Sequence, residues 1–216
     1  MVSFRSVFEH VLDAIVPPRA RSARTRARAP ADIPLCPTIH SLLGQKITTI
    51  MDYREQAVQD LIRALKYDGS SHAAALAAAL LADYLREEIA SMHLFSTQAT
   101  LLAALPLHKS RLRERGFNQI KLVLQALPRE FKDGTLCRQV QALSRVRATP
   151  SQTKLSRTDR IQNVRGAFYA VDAHALAGTT IFLIDDITTT GASLVSAGQA
   201  LRAAGADVNL MALARA

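Results

Sequence analysis

The 216-residue sequence has no tryptophan, only 5% aromatic residues and two cysteines. With so few large rings, a core has to be aliphatic and alanine-rich, and an apolar content of 49% is enough for one. Cys36 and Cys137 are far apart and form no pattern, so no disulfide framework is expected and a reducing cytoplasm is the default compartment. Cys36 and His40 are spaced like half a metal site, but a structural zinc site wants four ligands, so no zinc is expected. Long apolar runs are also missing. The stretch from Ala73 to Ala82 is ten residues, about half a bilayer crossing, so no transmembrane segment is expected. Glu9 and Asp13 interrupt the apolar N-terminus, which therefore does not read as a secretion signal. Acidic residues are in deficit: 18 against 27 Lys and Arg, a net charge of +9. That surplus favours polyanionic partners such as phosphates, nucleic acid or an acidic protein face.

What is present centres on residues 181–193. Ile181-Phe182-Leu183-Ile184 reads as a buried strand of a parallel sheet. Asp185 and Asp186 sit where it should emerge, followed by Thr188, Thr189, Thr190, Gly191, Ala192 and Ser193, and then a helical pattern from Leu194 to Ala204. An open α/β sheet builds its ligand crevice in this way, at the carboxyl ends of its strands. A loop that opens a helix offers backbone N–H groups and a positive dipole end to a phosphate. Gly191 would allow close approach, and the carboxylates suit sugar hydroxyls or Mg²⁺. The stretch therefore fits a ribose phosphate, although a strand-to-helix turn with capping threonines and solvated aspartates shares part of the pattern.

Along the rest of the chain, Phe4 to Ile15 has helical spacing ended by Pro17-Pro18. Residues 17–37 carry Arg19, Arg21, Arg24, Arg26 and Arg28 among alanine and proline. Such a segment is expected to be flexible, either a solvated linker or a grip on a nucleic-acid backbone. Val58, Leu61, Ile62 and Leu65 share a helix face leading to the Gly69 stop, and Ser70 or Ser71 can cap a long helix running to about Ile89. Leu101 to Leu107 reads as a core strand. It opens onto Lys109, Arg111, Arg113 and Arg115, four cations expected at the same crevice edge as the acidic pair, whereas His108 reads as structural. Phe117 to Leu127 is a helix and Leu136 to Leu143 a strand. The polar stretch 144–159, with Arg145, Arg147 and Gln152, is long enough for a lid over the site. Ile161 to Val171 returns through a turn and a short strand, and Asp207 to Leu213 is the last strand.

The 181–193 stretch resembles the phosphoribosyl-pyrophosphate (PRPP) motif of type I phosphoribosyltransferases. Arg111-Leu112-Arg113-Glu114-Arg115-Gly116-Phe117-Asn118-Gln119 resembles the most recognisable block of the ComF family, the phosphoribosyltransferase-like proteins linked to natural competence. Leu65-Lys66-Tyr67, the Arg145/Arg147/Thr149/Gln152 spacing, and Arg160, Asn163 and Ala167-Phe168 also fall where that family has such residues. The resemblance implies a type I phosphoribosyltransferase-like α/β domain over residues 50–216, a mainly parallel sheet flanked by helices, with residues 1–49 an irregular N-terminal extension. It implies PRPP with Mg²⁺ as ligand: Asp185 and Asp186 on the ribose hydroxyls, residues 188–193 on the 5′-phosphate, and Lys109, Arg111, Arg113 and Arg115 on the pyrophosphate. Any reaction would displace pyrophosphate from ribose C1, with an acceptor the sequence does not name. The family context adds DNA uptake, with single-stranded DNA and competence-machinery proteins as partners. A non-catalytic DNA-binding adaptor and a nucleotide-sensing regulator on the same fold are the alternatives. ComF proteins commonly carry a four-cysteine zinc ribbon after a Pro-Pro-Arg-like turn; here Pro17-Pro18-Arg19 is followed by arginine and alanine, so that module looks eroded.

Overall fold

The apolar run beginning at Thr180 is the centre of the molecule. In the computed structural model, which describes residues 20–146 and 166–216, it is the start of strand β7, Thr180–Thr188, whose first five residues are all buried. Successive side chains of a strand face opposite ways, so β7 feeds two cores. Phe182 and Ile184 join one apolar cluster with Leu102, Met211 and Leu213, while Ile181 and Leu183 join the other with Leu101, Ala103 and Leu210. A strand apolar on both faces belongs inside a parallel sheet covered on both sides.

Six strands make that sheet, in the order β1–β2–β8–β7–β3–β4. They are β1 (Thr38–Leu42), β2 (Gln45–Asp52), β3 (Thr100–Ala104), β4 (Arg138–Gln139), β7, and β8 (Asp207–Arg215). Only the β1–β2 hairpin pairs antiparallel; every other neighbour is parallel. Arg145 closes β5 (Leu143–Arg145), which pairs antiparallel with β6 (Phe168–Ala170) in a separate two-stranded ribbon.

Helices cover both faces. On one side lie α1 (Ala20–Arg26), α2 (Gln56–Arg63), α3 (Ser71–His93) and α5 (Gln119–Ala126), the last three through buried residues such as Leu61, Leu81 and Val123. Ser70 caps α3 by accepting the Ala73 amide at 3.2 Å. On the other side α7 (Ala192–Ala203) packs Leu194, Val195 and Leu201 with the second cluster. Two short helices, α4 (Lys109–Arg115) and α6 (Ala173–Leu176), are the other α-helices among the described residues. The connection leaving β3 runs through α5 to β4, and the one leaving β7 runs through α7 to β8, in opposite directions across the sheet. The junction of β3 and β7 is therefore the topological switch point, where open α/β sheets hold their ligands.

Several elements depart from the sequence expectations. The boundary expected between residues 49 and 50 falls inside β2, and the hairpin it would sever is part of the main sheet. Of the arginine-rich stretch expected to be flexible, Ala20–Arg26 is helical, with Ser22 and Thr25 buried. The single strand expected over 136–143 is two pieces in two sheets, β4 and β5. The helix expected over 3–16, with Arg147, Gln152, Arg160, Asn163 and most of the expected lid, lies outside the described residues. Among those described, no helix is long and apolar enough to cross a membrane.

Candidate functional site

Past Ile184 the two neighbours of β7 part company. The β3 ladder ends at the Ala104–Ile184 pair, with one further bond from the Leu105 amide to the Ile184 carbonyl at 2.8 Å. β8 stays paired as far as Thr188. Leu105-Pro106-Leu107 turns away, and an open cavity of about 340 Å³ forms beside the end of β7. Its lining combines Asp185, Asp186 and residues 188–193 with Lys66, Arg111, Arg115, Gln119 and Arg145.

The acidic pair is held by its own backbone. Asp185 Oδ1 accepts the Asp186 amide and Asp186 Oδ1 accepts the Ile187 amide, each at 2.8 Å. Asp186 is only 5% exposed, and its Oδ2 is buried with no hydrogen-bond partner. Burial at the cavity floor, reinforced by the Asp186 carboxylate, pushes the Asp185 carboxyl well above the usual carboxylate range, with Lys66 acting in the opposite sense. Two crowded carboxyls and an unsatisfied oxygen make a site short of positive charge or donors.

The following loop turns sharply into α7. Gly191 is the N-cap at φ +76°, and Thr190 Oγ1 accepts the Ala192 amide at 3.4 Å. The glycine also has a cause within the fold itself. A Cβ built there would lie 2.6 Å from Ile47 Cδ1 and 3.1 Å from Leu42 Cβ, so the absent side chain makes room for the β1–β2 hairpin behind the loop.

The cations reach the cavity from three directions. In α4, Arg111 and Arg115 are one helical turn apart and line the cavity, whereas Lys109 and Arg113 are exposed and do not. His108 Nδ1 caps α4 by accepting the Ser110 amide at 3.2 Å, and Gly116 ends the helix at φ +83°. Arg115 Nη1 donates to Gln119 Oε1 at 2.6 Å. Asn118 Oδ1 caps α5 on the Ile120 and Lys121 amides, and its Nδ2 donates to the Leu105 carbonyl at 3.0 Å, fixing the cationic turn to the end of β3. Arg145, expected on a lid, is instead the last residue of β5, its guanidinium 5.2 Å from the centre of the Phe168 ring on β6. Burial and the Arg111 charge lower the pKa of Arg145, while Asp185 raises it.

Lys66, named from the sequence only within the Leu65-Lys66-Tyr67 block, also lines the cavity. It lies in a π-helical turn, Ala64–Asp68, that follows α2 directly and ends at Gly69 with φ +57°. Its signal in the sequence is the Leu65-Lys66-Tyr67 block before the Gly69 stop, which gives the lysine no chemistry of its own. Gln119, read only as part of the Arg111–Gln119 block, also lines the cavity.

No family model matches the chain. It is 36% identical over 113 residues to Competence protein F of Haemophilus influenzae, covering 51% of this chain and 48% of that one. The matched segment thus spans about half the length of that relative. It is 31% identical over 174 residues to the DNA utilization protein YhgH of Escherichia coli, covering 79% of this chain and 72% of that one. Among solved structures, a phosphoribosyltransferase from Corynebacterium diphtheriae aligns over 74% of this chain and 95% of its own, at 16% identity and a TM-score of 0.36. A likeness that loose says nothing about chemistry. The extended match to the Escherichia coli protein does carry weight, and by it this chain, with its Arg111–Gln119 block, belongs to the ComF family.

Proposed function

We propose that the chain binds PRPP, or a related ribose 5-phosphate ligand, together with Mg²⁺ in the cavity between β3 and β7, and that it serves DNA use during natural competence. The observation that carries this reading is that the acidic pair, the loop opening α7 and four cations all line one cavity at the switch point. Its volume is within the usual range for small-molecule sites. The turn at residues 189–193 and the start of α7 suit a terminal phosphate. Arg111, Arg115 and Arg145 suit a pyrophosphate on the other side. Between them, Asp185 and the unpartnered Asp186 Oδ2 suit ribose hydroxyls, which donate, or a divalent cation. Mg²⁺ held there or on the ligand would supply charge neutralisation for the pyrophosphate. In a transfer reaction a nucleophilic acceptor would form a bond to ribose C1 as the C1–O bond to pyrophosphate breaks, and the bond's electron pair would leave on the pyrophosphate, whose charge the arginines stabilise as it develops. The competence role rests on membership of the family and on the names of the relatives.

Calorimetric titration of PRPP with Mg²⁺ into the wild type and Asp185→Asn/Asp186→Asn tests the reading. Saturable binding lost in the variant is expected. No heat and no thermal stabilisation of the wild type would overturn it. The rival is a DNA adaptor without turnover, favoured by the net charge of +9 and by the exposed Lys109 and Arg113. It predicts salt-dependent oligonucleotide binding that is indifferent to the acidic pair.

A further inference from the structure

Lys66 lines the same cavity as the acidic pair from within the π-helical turn Ala64–Asp68. An α-helix advances about 100° per residue, so relaxing the extra residue of a π-turn into regular helix would swing the following side chains by roughly that angle. A π-turn is an uncommon conformation and needs support from outside. Two contacts bracket this one. On one side the ring of Phe117 packs over Gly69, where no Cβ could stand. On the other, Ser22 of α1 donates from Oγ to Asp68 Oδ2 at 2.6 Å, with Ser22 only 5% exposed. Helix α1 is itself pinned to α2: Arg24 meets both oxygens of Asp60 at 2.9 Å, Arg28 meets Asp60 Oδ2 at 3.2 Å, and the Asp60 side chain is fully buried.

We propose that α1 is a strap that sets the register of the Lys66 turn, and that Ser22, through Asp68, is a positioning residue for the cavity. The arginine-rich segment then serves the ligand site from within the fold, by holding the turn that aims Lys66 at Asp185. The inference deepens the reading of the cavity as a ligand site, and only its binding arm rests on that reading.

The test follows amide hydrogen exchange across residues 64–70 and, in parallel, PRPP affinity in the wild type, Ser22→Ala, Lys66→Ala and the double variant. Ser22→Ala is expected to speed exchange of the Ser70 amide, which bonds the Ala64 carbonyl at 3.3 Å across the turn, while amides of the central sheet keep their rates. Ser22→Thr, which keeps the hydroxyl, should restore the slow exchange. Ser22→Ala should weaken PRPP binding by on the order of tenfold, the scale of one lost hydrogen bond to a charged group, yet add nothing when Lys66 is already gone. Exchange in the turn unmoved by Ser22→Ala, or affinity lost equally with and without Lys66, would overturn the proposal. If the wild type binds no PRPP, the functional reading fails, and hydrogen exchange still decides the role of Ser22.

Discussion

The ring of Phe117 stands where a side chain at Gly69 would begin: a Cβ built on Gly69 would lie 2.9 Å from Phe117 Cε1. This contact joins two pieces of chain that each bring a cation to the cavity, the Lys66 turn and the α4–α5 corner. Gly69→Ala adds both that clash and a left-handed backbone at φ +57°, which an alanine adopts only at a cost. It should lower unfolding free energy by about 1–3 kcal/mol in urea titration. PRPP affinity should fall along with it.

Helix α4 separates its four cations by face, and the binding data should separate them too. Arg111→Ala/Arg115→Ala should weaken PRPP binding by on the order of tenfold or more, since each can make charge-assisted bonds to phosphate. Lys109→Ala/Arg113→Ala should change it by no more than about twofold at physiological salt, where exposed charges are screened. Calorimetry of the two double variants at one salt concentration decides the matter.

Asp185 sets stability against the ligand binding proposed for it. Its carboxyl is held above the ordinary value of 3.8, so the folded state binds a proton that the unfolded chain has released. Stability is therefore fullest below 3.8 and declines as pH rises through the elevated folded value. Asp185→Asn should raise Tm at neutral pH, with the gain disappearing on acidification into the ordinary carboxylate range. Scanning fluorimetry across pH shows this, and loss of PRPP binding in the same variant would accompany the gain.

Asp60 behaves in the opposite sense. Hydrogen bonds from Arg24 lead the effects that hold its carboxyl below 3.8, so its contribution is present above that value and is lost as pH falls through the lowered one. Removing both Arg24 and Arg28 leaves a buried carboxylate without its charged partners, which is worse than having no charge there. Arg24→Ala/Arg28→Ala should therefore lose several degrees of Tm, and adding Asp60→Asn should recover part of the loss. Thermal melts of the three proteins at neutral pH measure it.

The parts of the fold that could be read from the sequence are those whose signal is local. Residues 181–184 announce a central strand because every one is apolar, and Ser70 and Gly69 punctuate the helices on either side of them. Asp185, Asp186 and residues 188–193 could be grouped from the sequence because strand, acids, loop and helix follow in unbroken order, and the structure sets them around one cavity. The β1–β2 hairpin was missed because Thr38, His40 and Lys46 dilute its apolar alternation; its place in the sheet depends on pairing with β8, far along the chain. Helix α1 is not legible in the sequence, where its arginines suggest a flexible linker or a nucleic-acid grip, because its partner, Asp60, lies 36 residues from Arg24 and composition holds no trace of the pair. The division of labour within α4 became readable only once Lys109–Arg115 was known to be a helix. Lys66 depends on a π-turn, which leaves no periodic mark.

Gly191 has a consequence for how such chains diverge. The loop that opens α7 rests on Leu42 and Ile47, from a hairpin well over a hundred residues earlier in the sequence. A larger residue at position 191 fits only where position 47 has already become smaller, and a larger residue at 47 fits only while 191 stays bare. Across family members the two positions should therefore covary, and a graft that exchanges the β1–β2 hairpin without its matching loop should fail by steric conflict behind the turn that opens α7.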